Sequence, residues 1–350
     1  MAVVGWDIGG AHLKAARCEE GRIVATAQVA APLRLGLERL VQAFAEAKAL
    51  IGSANSHAVT MTGELADTFS SRAEGVACLT GAAVRELAPG RVVIYAGRAG
   101  FVAPADAANH VTDIASANWF ASASVVGKRI GSSLFMDTGS TTTDIVPIVN
   151  GTVAAHGYTD AERLANGELV YTGMVRSFLM TTAEEVPFAG SWSALIHENF
   201  STMADVHRIL GSLPDGADQM ASADGRAKTI AASQARLARI VGRDSDDAEP
   251  TAWFALAQYF AEAQIRAITD SGMLVLSRGE LPVSAPIVVS GIGANLLREV
   301  ARRLSRECID FEALIDVSHE AGPTVSSVAP AASVAILGSR AEEFLGSRVA

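Results

Sequence analysis

Two short segments carry residues whose types and spacing could do chemistry. "GWDIGGAHLK" places Asp7 at the end of an apolar run, then Gly9 and Gly10, then His12 and Lys14. "MDTGSTTTD" repeats the arrangement with Asp137 and Gly139, followed by Ser140, Thr141, Thr142, Thr143 and Asp144. An aspartate at a strand end can hold Mg2+ directly or through water. Glycine in the turn that follows leaves backbone N–H groups open to an anion. A lysine on the next strand, or a row of hydroxyls, adds donors for the same phosphate. One Asp-x-Gly alone is a common hairpin feature. Here Asp137, Gly139 and Gly151 stand 130 positions after Asp7, Gly9 and Gly21. That common offset predicts a duplicated strand–turn–strand–turn–strand unit. Each half would supply one clamp for a polyphosphate and its metal, with the ligand in a cleft between the halves.

Other residues are candidates of a softer kind. "IVVSGIGANLL" is a strand, Gly291-x-Gly293 and a helix. Leu296 stands where a dinucleotide fingerprint requires its third glycine. The segment still suits a phosphate or a flat ligand portion packed at a helix start. Glu64 in "MTGEL" follows a strand end and is a candidate general base; it equally suits a carboxylate facing a helix dipole. His12 is the histidine beside the first turn, whereas His197 and His207 have no metal-ligand spacing. Asn118 and Trp119 are candidates to line the cleft, and Arg226 and Lys228 in "DGRAK" to close over an anionic substrate.

The elements that must position these groups follow from periodicity and turn chemistry. Helices are expected over 35–51, 65–87, 116–126 with Ser116 as N-cap, 249–271 with Gly272 as the C-terminal cap, 294–304 and 331–345. Strands are expected over 2–6, 13–18, 22–28, 57–62, 91–96, 133–136, 142–149 and 286–290, with a hairpin turn at Asn150-Gly151 and a mobile loop over 214–229. A first half spans 1–130 and is completed by the C-terminal stretch 331–350; a second half, with helical insertions, spans 131–330.

The 350 residues are 49% hydrophobic and 19% charged, enough for two packed cores. A formal charge of −10 argues against nucleic acid and anionic membranes as partners. Cys18, Cys78 and Cys308 are far apart and form no CxxC, so neither a zinc site nor a disulfide framework is indicated. The start is unlike a signal peptide, and no apolar run approaches the roughly 18 residues of a membrane span. A soluble, cytoplasmic protein is expected, with its oligomeric state left open.

The constellation resembles a known superfamily. Asp7-Ile8-Gly9-Gly10 with Lys14, then Asp137 to Asp144, then Gly291-Ile292-Gly293 are similar to the phosphate-1, phosphate-2 and adenosine motifs of the acetate/sugar kinase, Hsp70 and actin superfamily. The second block resembles the "DxGxTTTD" signature of its hydantoinase/oxoprolinase branch. The resemblance covers nearly the whole chain. It implies an α/β fold of two ribonuclease-H-like halves around a central cleft, as in actin-like ATPases. The start, "TGELAD", "DGRAKT" and the length of 350 residues resemble, more narrowly, the tetrahydromethanopterin-linked C1-transfer pathway proteins, the branch of the methanofuran-biosynthesis synthases.

That resemblance implies a transferase. Its family condenses an aminomethylfuran-methyl diphosphate with the phenol of glutamyl-tyramine, or of tyrosine in methylotrophs, and releases diphosphate. Asp7 and Asp137 would then hold Mg2+, with Lys14 and Asp144 completing the diphosphate centre. Gly9, Gly10, Gly139, Ser140, Thr141 and Thr142 would line it, and Glu64 or His12 would take the phenolic proton. The Gly291/Gly293 pocket would hold adenosine if ATP is used, or else a furan or aryl group. An ATP-dependent small-molecule kinase and a non-enzymatic nucleotide-binding switch are the alternative readings. Hydantoinases and oxoprolinases are larger assemblies with a partner subunit, so amide-ring hydrolysis is not the expected activity.

Overall fold

The computed structural model describes residues 2–321 and 325–345. In chain order the strands are β1 (Ala2–Ile8), β2 (His12–Glu19), β3 (Arg22–Ala30), β4 (Ser56–Met61), β5 (Arg91–Tyr95), β6 (Phe101–Val102), β7 (Ser133–Thr138), β8 (Thr143–Val149), β9 (Thr152–Val153), β10 (Leu169–Val170), β11 (Glu185–Phe188), β12 (Ser191–Ala194), β13 (Ile287–Ser290), β14 (Cys308–Asp310) and β15 (Asp316–Val317). The helices are α1 (Glu38–Ile51), α2 (Arg72–Leu87), α3 (Val111–Ile114), α4 (Asn118–Gly127), α5 (Asp160–Ala165), α6 (Met203–Leu210), α7 (Ile230–Ile240), α8 (Pro250–Leu276), α9 (Ala294–Arg303) and α10 (Ala329–Leu345).

The strands form a seven-stranded sheet of order β15-β3-β2-β1-β4-β5-β6 and a six-stranded sheet of order β10-β8-β7-β13-β14, in which β9 also pairs β8. In the first sheet β1, β2 and β3 run as an antiparallel meander, and β4 and β5 continue it in parallel with β1. This is the ribonuclease-H-like arrangement, and the second sheet repeats the order around β7. The chain has the duplicated, actin-like ATPase fold.

The duplication is written into the turns. Glu20 and Gly21 between β2 and β3 have φ of 52° and 84°; Asn150 and Gly151 between β8 and β9 have 52° and 79°. Two successive positive φ values make the hairpin turn whose twist matches the strands it joins. Gly9 N–H donates to His12 O at 2.9 Å, and Gly139 N–H donates to Thr142 O at 2.9 Å. The same turn therefore closes with the same bond in both copies.

By compactness the chain divides into one unit of Met1–Phe135, Val146–Arg163 and Ile309–Ala350, and another of Met136–Ile145 and Leu164–Cys308. In the first unit, β1 and β4 are buried along nearly their whole length because both faces of the sheet are covered. Helix α1 covers one face, where Phe44 lies 5.1 Å from Trp6 between ring centroids. Helix α10 covers the other so closely that a Cβ on Gly5 would stand 2.0 Å from Ala331 O. The C-terminal helix is thus part of this unit's core; positions 346–350 of the expected stretch lie outside the described residues. The second unit has its own core around Trp253, Leu256 and Phe260 of α8, with Phe188 stacked on Trp253 at 4.7 Å.

Several element boundaries differ from expectation, and the helix expected from residue 65 begins at Arg72, after Ser71 as its N-cap. Gly272 does not end a helix: α8 continues to Leu276, and Gly272 gives room to Met136 Cε and Leu304 Cδ1, 3.0 and 3.1 Å from where its Cβ would be. Ser116 is not the cap of α4, which begins at Asn118 after Ala117. Its φ is 53°, and its hydroxyl is taken by two carboxyls instead.

Candidate functional site

The first Asp-x-Gly turn joins β1 to β2. Asp7 is directly opposite Lys14 in the ladder, and opposite residues of an antiparallel pair present their side chains on one face. Asp7 and His12 are buried, while Lys14, Gly9 and Gly10 are half-buried. The turn is held from both sides: Thr62 N–H donates to Ile8 O at 3.0 Å and Leu33 N–H to Gly10 O at 3.0 Å. Gly63 seats against it, since a Cβ there would lie 3.1 Å from Ile8 O and 3.2 Å from Gly9 C. Glu64, the next residue, is thereby anchored beside the turn. Among the described residues no backbone carbonyl accepts from Gly10 N–H.

The second turn joins β7 to β8 and is wrapped more tightly. Met174 N–H donates to Gly139 O at 3.0 Å, and Val175 and Arg176 N–H donate to Ser140 O at 3.0 and 2.9 Å. With the carbonyls so engaged, the N–H groups of Ser140 and Thr141 have no backbone acceptor among the described residues. Thr138 and Thr143 Oγ1 share a bond of 3.0 Å, and Thr143 Oγ1 donates to Thr172 O at 2.8 Å. Thr143 is therefore structural, whereas Ser140 Oγ is buried with no hydrogen-bond partner among the described residues. Gly291 and Gly293 belong to the same assembly. Gly291 has φ 86°, and its Cβ would lie 2.2 Å from Thr138 O and 2.4 Å from Asp137 Oδ1. Gly293 N–H donates to Thr138 O at 3.0 Å. These glycines let the β13–α9 connection close onto the turn and pass against the Asp137 carboxylate. Asp144 stands 130 positions after Lys14, so the second copy carries a carboxylate where the first carries an ammonium.

Glu64 is a deeply buried carboxyl of the first unit, 1% exposed. A Cβ on Gly75 would be 2.4 Å from Glu64 O, so α2 lies directly over it. Burial pushes the Glu64 carboxyl up to about 7; Asp160 adds to the rise, and the Ser116 hydroxyl and Arg72 oppose it. Ser116 Oγ is 3.0 Å from Glu64 Oε1 and 3.2 Å from Asp160 Oδ2, and Arg72 Nη2 donates to Asp160 Oδ2 at 2.8 Å. Asp160 and Arg72 are absent from the residues singled out in the sequence, and Ser116 figures there only as a helix cap. They lie 52, 44 and 88 positions from their partners here, beyond the reach of any local pattern.

Two softer expectations change. Trp119 is buried rather than lining an opening, with the Arg163 guanidinium 4.0 Å from its ring centroid. The 214–229 segment has no helix or strand, Arg226 is exposed, and Lys228, Asp218 and Asp224 are held in ion pairs. Lys228 Nζ donates to Asp218 O at 2.8 Å, and Asp224 Oδ1 accepts from Arg236 Nη1 at 3.0 Å. Arg236 is fully buried and also donates to Asp205 Oδ1 from Nε at 2.9 Å and from Nη2 at 2.7 Å. Breaking such a buried pair is costly, which ties the loop to α6 and α7. His207 bridges Ser212 and Gln264 at 2.9 Å each and so links α6 to α8.

The residues present fit a magnesium ion that arrives with phosphate. Mg2+ keeps most of its water and uses one or two carboxylates plus phosphate oxygens. Each turn offers one strand-end carboxylate, Asp7 or Asp137, beside N–H groups suited to an anion. No cluster of three or more His, Cys, Asp or Glu side chains suited to a metal is assembled among the described residues. No helix among them is long and apolar enough to cross a membrane.

The sheet order and the paired Asp-x-Gly turns define a protein of the actin-like, ribonuclease-H-fold class. A nucleotide-free acetone carboxylase structure shares this fold at a TM-score of 0.58 and 10% identity, over 95% of this chain and 70% of that one. The chain belongs to the hydantoinase/oxoprolinase family, whose family model matches residues 55–323. It is 27% identical over 341 residues to the (4-{4-[2-(gamma-L-glutamylamino)ethyl]phenoxymethyl}furan-2-yl)methanamine synthase of Methanocaldococcus jannaschii, covering 96% of this chain and 97% of that protein. It is 28% identical to the synthase of the same name from Methanococcus vannielii, over 58% of this chain and 89% of that protein.

Proposed function

We propose that the chain is a synthase of methanofuran-type cofactor assembly, joining the methylene carbon of an aminomethylfuran-methyl diphosphate to a phenol oxygen. The phenol is that of tyrosine or of glutamyl-tyramine. The observation that carries this reading is the pair of Asp-x-Gly turns, each with a strand-end carboxylate and turn N–H groups that no backbone carbonyl engages among the described residues. The named relatives support it: a phenoxymethyl-furan is what such a condensation makes, and the likeness to the first runs along 96% of the chain.

The reaction asks three things of the protein. As the furfuryl C–O bond breaks, its electron pair leaves with the diphosphate, and positive donors must meet that charge. In the first turn Lys14, opposite Asp7, and the Gly10 N–H, and in the second turn the N–H groups of Ser140 and Thr141, are donors of the kind this role asks for. When bound, Mg2+ at Asp7 or Asp137 lowers the cost of charge on the departing group. The phenol oxygen forms the new C–O bond and gives up its proton, with Glu64 or His12 as its acceptor. No covalent nucleophile is needed.

The test is direct. Full-length protein with Mg2+, the furan diphosphate and either phenol should release diphosphate and form the aryl ether without ATP. ADP formed from ATP, with no ether from any phenol, would favour a kinase and contradict the synthase reading.

A further inference from the structure

Glu64, Ser116 and Asp160 present a hydrogen-bonding conflict that one proton resolves. A serine hydroxyl has one hydrogen and donates to one acceptor at a time. Ser116 Oγ nevertheless meets two carboxyl oxygens, Glu64 Oε1 at 3.0 Å and Asp160 Oδ2 at 3.2 Å. With both carboxyls ionised, one contact would set lone pair against lone pair. With a proton on Glu64 Oε1, Glu64 donates to Ser116 and Ser116 donates to Asp160. Asp160 is the partner held in an ion pair, with Arg72 Nη2 2.8 Å from its Oδ2 and its side chain 20% exposed. The backbone at Ser116 has φ 53°, uncommon for a residue with a side chain, where the hydroxyl stands between the two acids. The remaining oxygen, Glu64 Oε2, is buried with no hydrogen-bond partner among the described residues.

We propose that Glu64, Ser116 and Asp160 share one proton and form a relay that carries the acceptor's proton from Glu64 Oε2 to the surface at Asp160. It rests on the synthase reading and specifies its general base. The phenolic O–H bond breaks as an O–H bond forms on Glu64 Oε2. The hydrogen on Oε1 passes to Ser116 Oγ, and the hydrogen of Ser116 passes to Asp160 Oδ2 and on to water. One bond forms for each that breaks, and no electrons are exchanged. The charged groups acting on Glu64 are Asp160 of α5 and Arg72 of α2; the relay keeps their charges in place between turnovers. Glu64 is the catalytic residue in this scheme, and Ser116 and Asp160 position and drain its proton.

Infrared spectroscopy of the full-length protein from about pH 5 to about pH 9 reads that proton directly, because a protonated carboxyl has its own C=O band. The wild type should show a band that titrates near pH 7 and is missing in Glu64→Gln. Ser116→Ala should shift the band and lower kcat by about tenfold or more with KM unchanged. Should Glu64→Gln fail to fold, Asp160→Asn reads the same proton through a displaced band. Absence of a titrating band in the wild type overturns the proposal, as does Ser116→Ala with wild-type kcat and pH profile. A titrating band in an enzyme that forms no ether supports the shared proton and contradicts the synthase reading alone.

Discussion

Asp7 and Asp137 are the residues on which the two turns depend for their charge. Exchanging either carboxylate for an amide keeps shape and removes charge. Asp7→Asn and Asp137→Asn should each lower synthase turnover by about a hundredfold or more while thermal unfolding stays within a few degrees of wild type. Steady-state kinetics and a melting curve check both halves of that statement. Glu64 and His57, a buried acid and a buried base of the first unit, make a second prediction. His57, whose Nδ1 accepts from Trp6 Nε1 at 3.2 Å, is pushed down to about 4, chiefly by burial, whereas Glu64 is pushed up to about 7. The His57 contribution to stability is complete above its ordinary value near 6.5 and is lost as pH falls toward 4. The Glu64 contribution has the opposite sense: complete below its ordinary 4.5 and lost as pH rises through about 7. Each amounts to about 3 kcal/mol. Between about pH 4.5 and 6.5 the two slopes oppose each other, so these two groups leave stability nearly flat. Glu64→Gln should expose the His57 slope, with denaturant midpoints that rise with pH across that window and exceed wild type at pH 8. A midpoint that stays flat in the variant contradicts the assignment.

At the scale of elements, the β13–α9 connection holds the second turn. Gly291→Ala would set a Cβ against Thr138 O at 2.2 Å from a backbone with φ 86°. A loss of about 3 kcal/mol or more is expected, measured by urea unfolding, together with reduced activity as Asp137 shifts. The turns were legible in the sequence because their chemistry is local: Asp-x-Gly ends a strand and opens a turn, and Asn150-Gly151 takes two positive φ values. The repeat offset made the duplicated fold legible as well. What stayed hidden depends on packing between distant segments. Ser116 looked like a helix cap because its neighbours are helical, yet two acids far away in sequence claim its hydroxyl. Gly272 looked like a helix end because glycine often is one, yet here it admits Met136 and Leu304. Lys228 looked free to meet substrate, but Asp218, ten positions away in an irregular segment, already holds it.

Across the whole molecule, one ancestral strand–turn–strand unit has been used twice and charged differently, with Lys14 in one copy and Asp144 in the other. The first unit is assembled from three stretches of chain and is closed by α10 against β1. A chain ending at residue 325 should therefore lose the first sheet's cover and precipitate or bind a hydrophobic dye, which a soluble-expression and dye-binding assay would show. A truncated chain with native melting behaviour would contradict that account of the core. Beyond the fold, the central claim is that the furfuryl carbon changes partners from diphosphate to phenol. It is tested most directly by supplying the acceptor with its phenol oxygen labelled and following the label by mass spectrometry. The account predicts that the label is retained in an aryl ether formed one for one with unlabelled diphosphate and without ATP. Label recovered in a phosphate ester, with no ether, would contradict it.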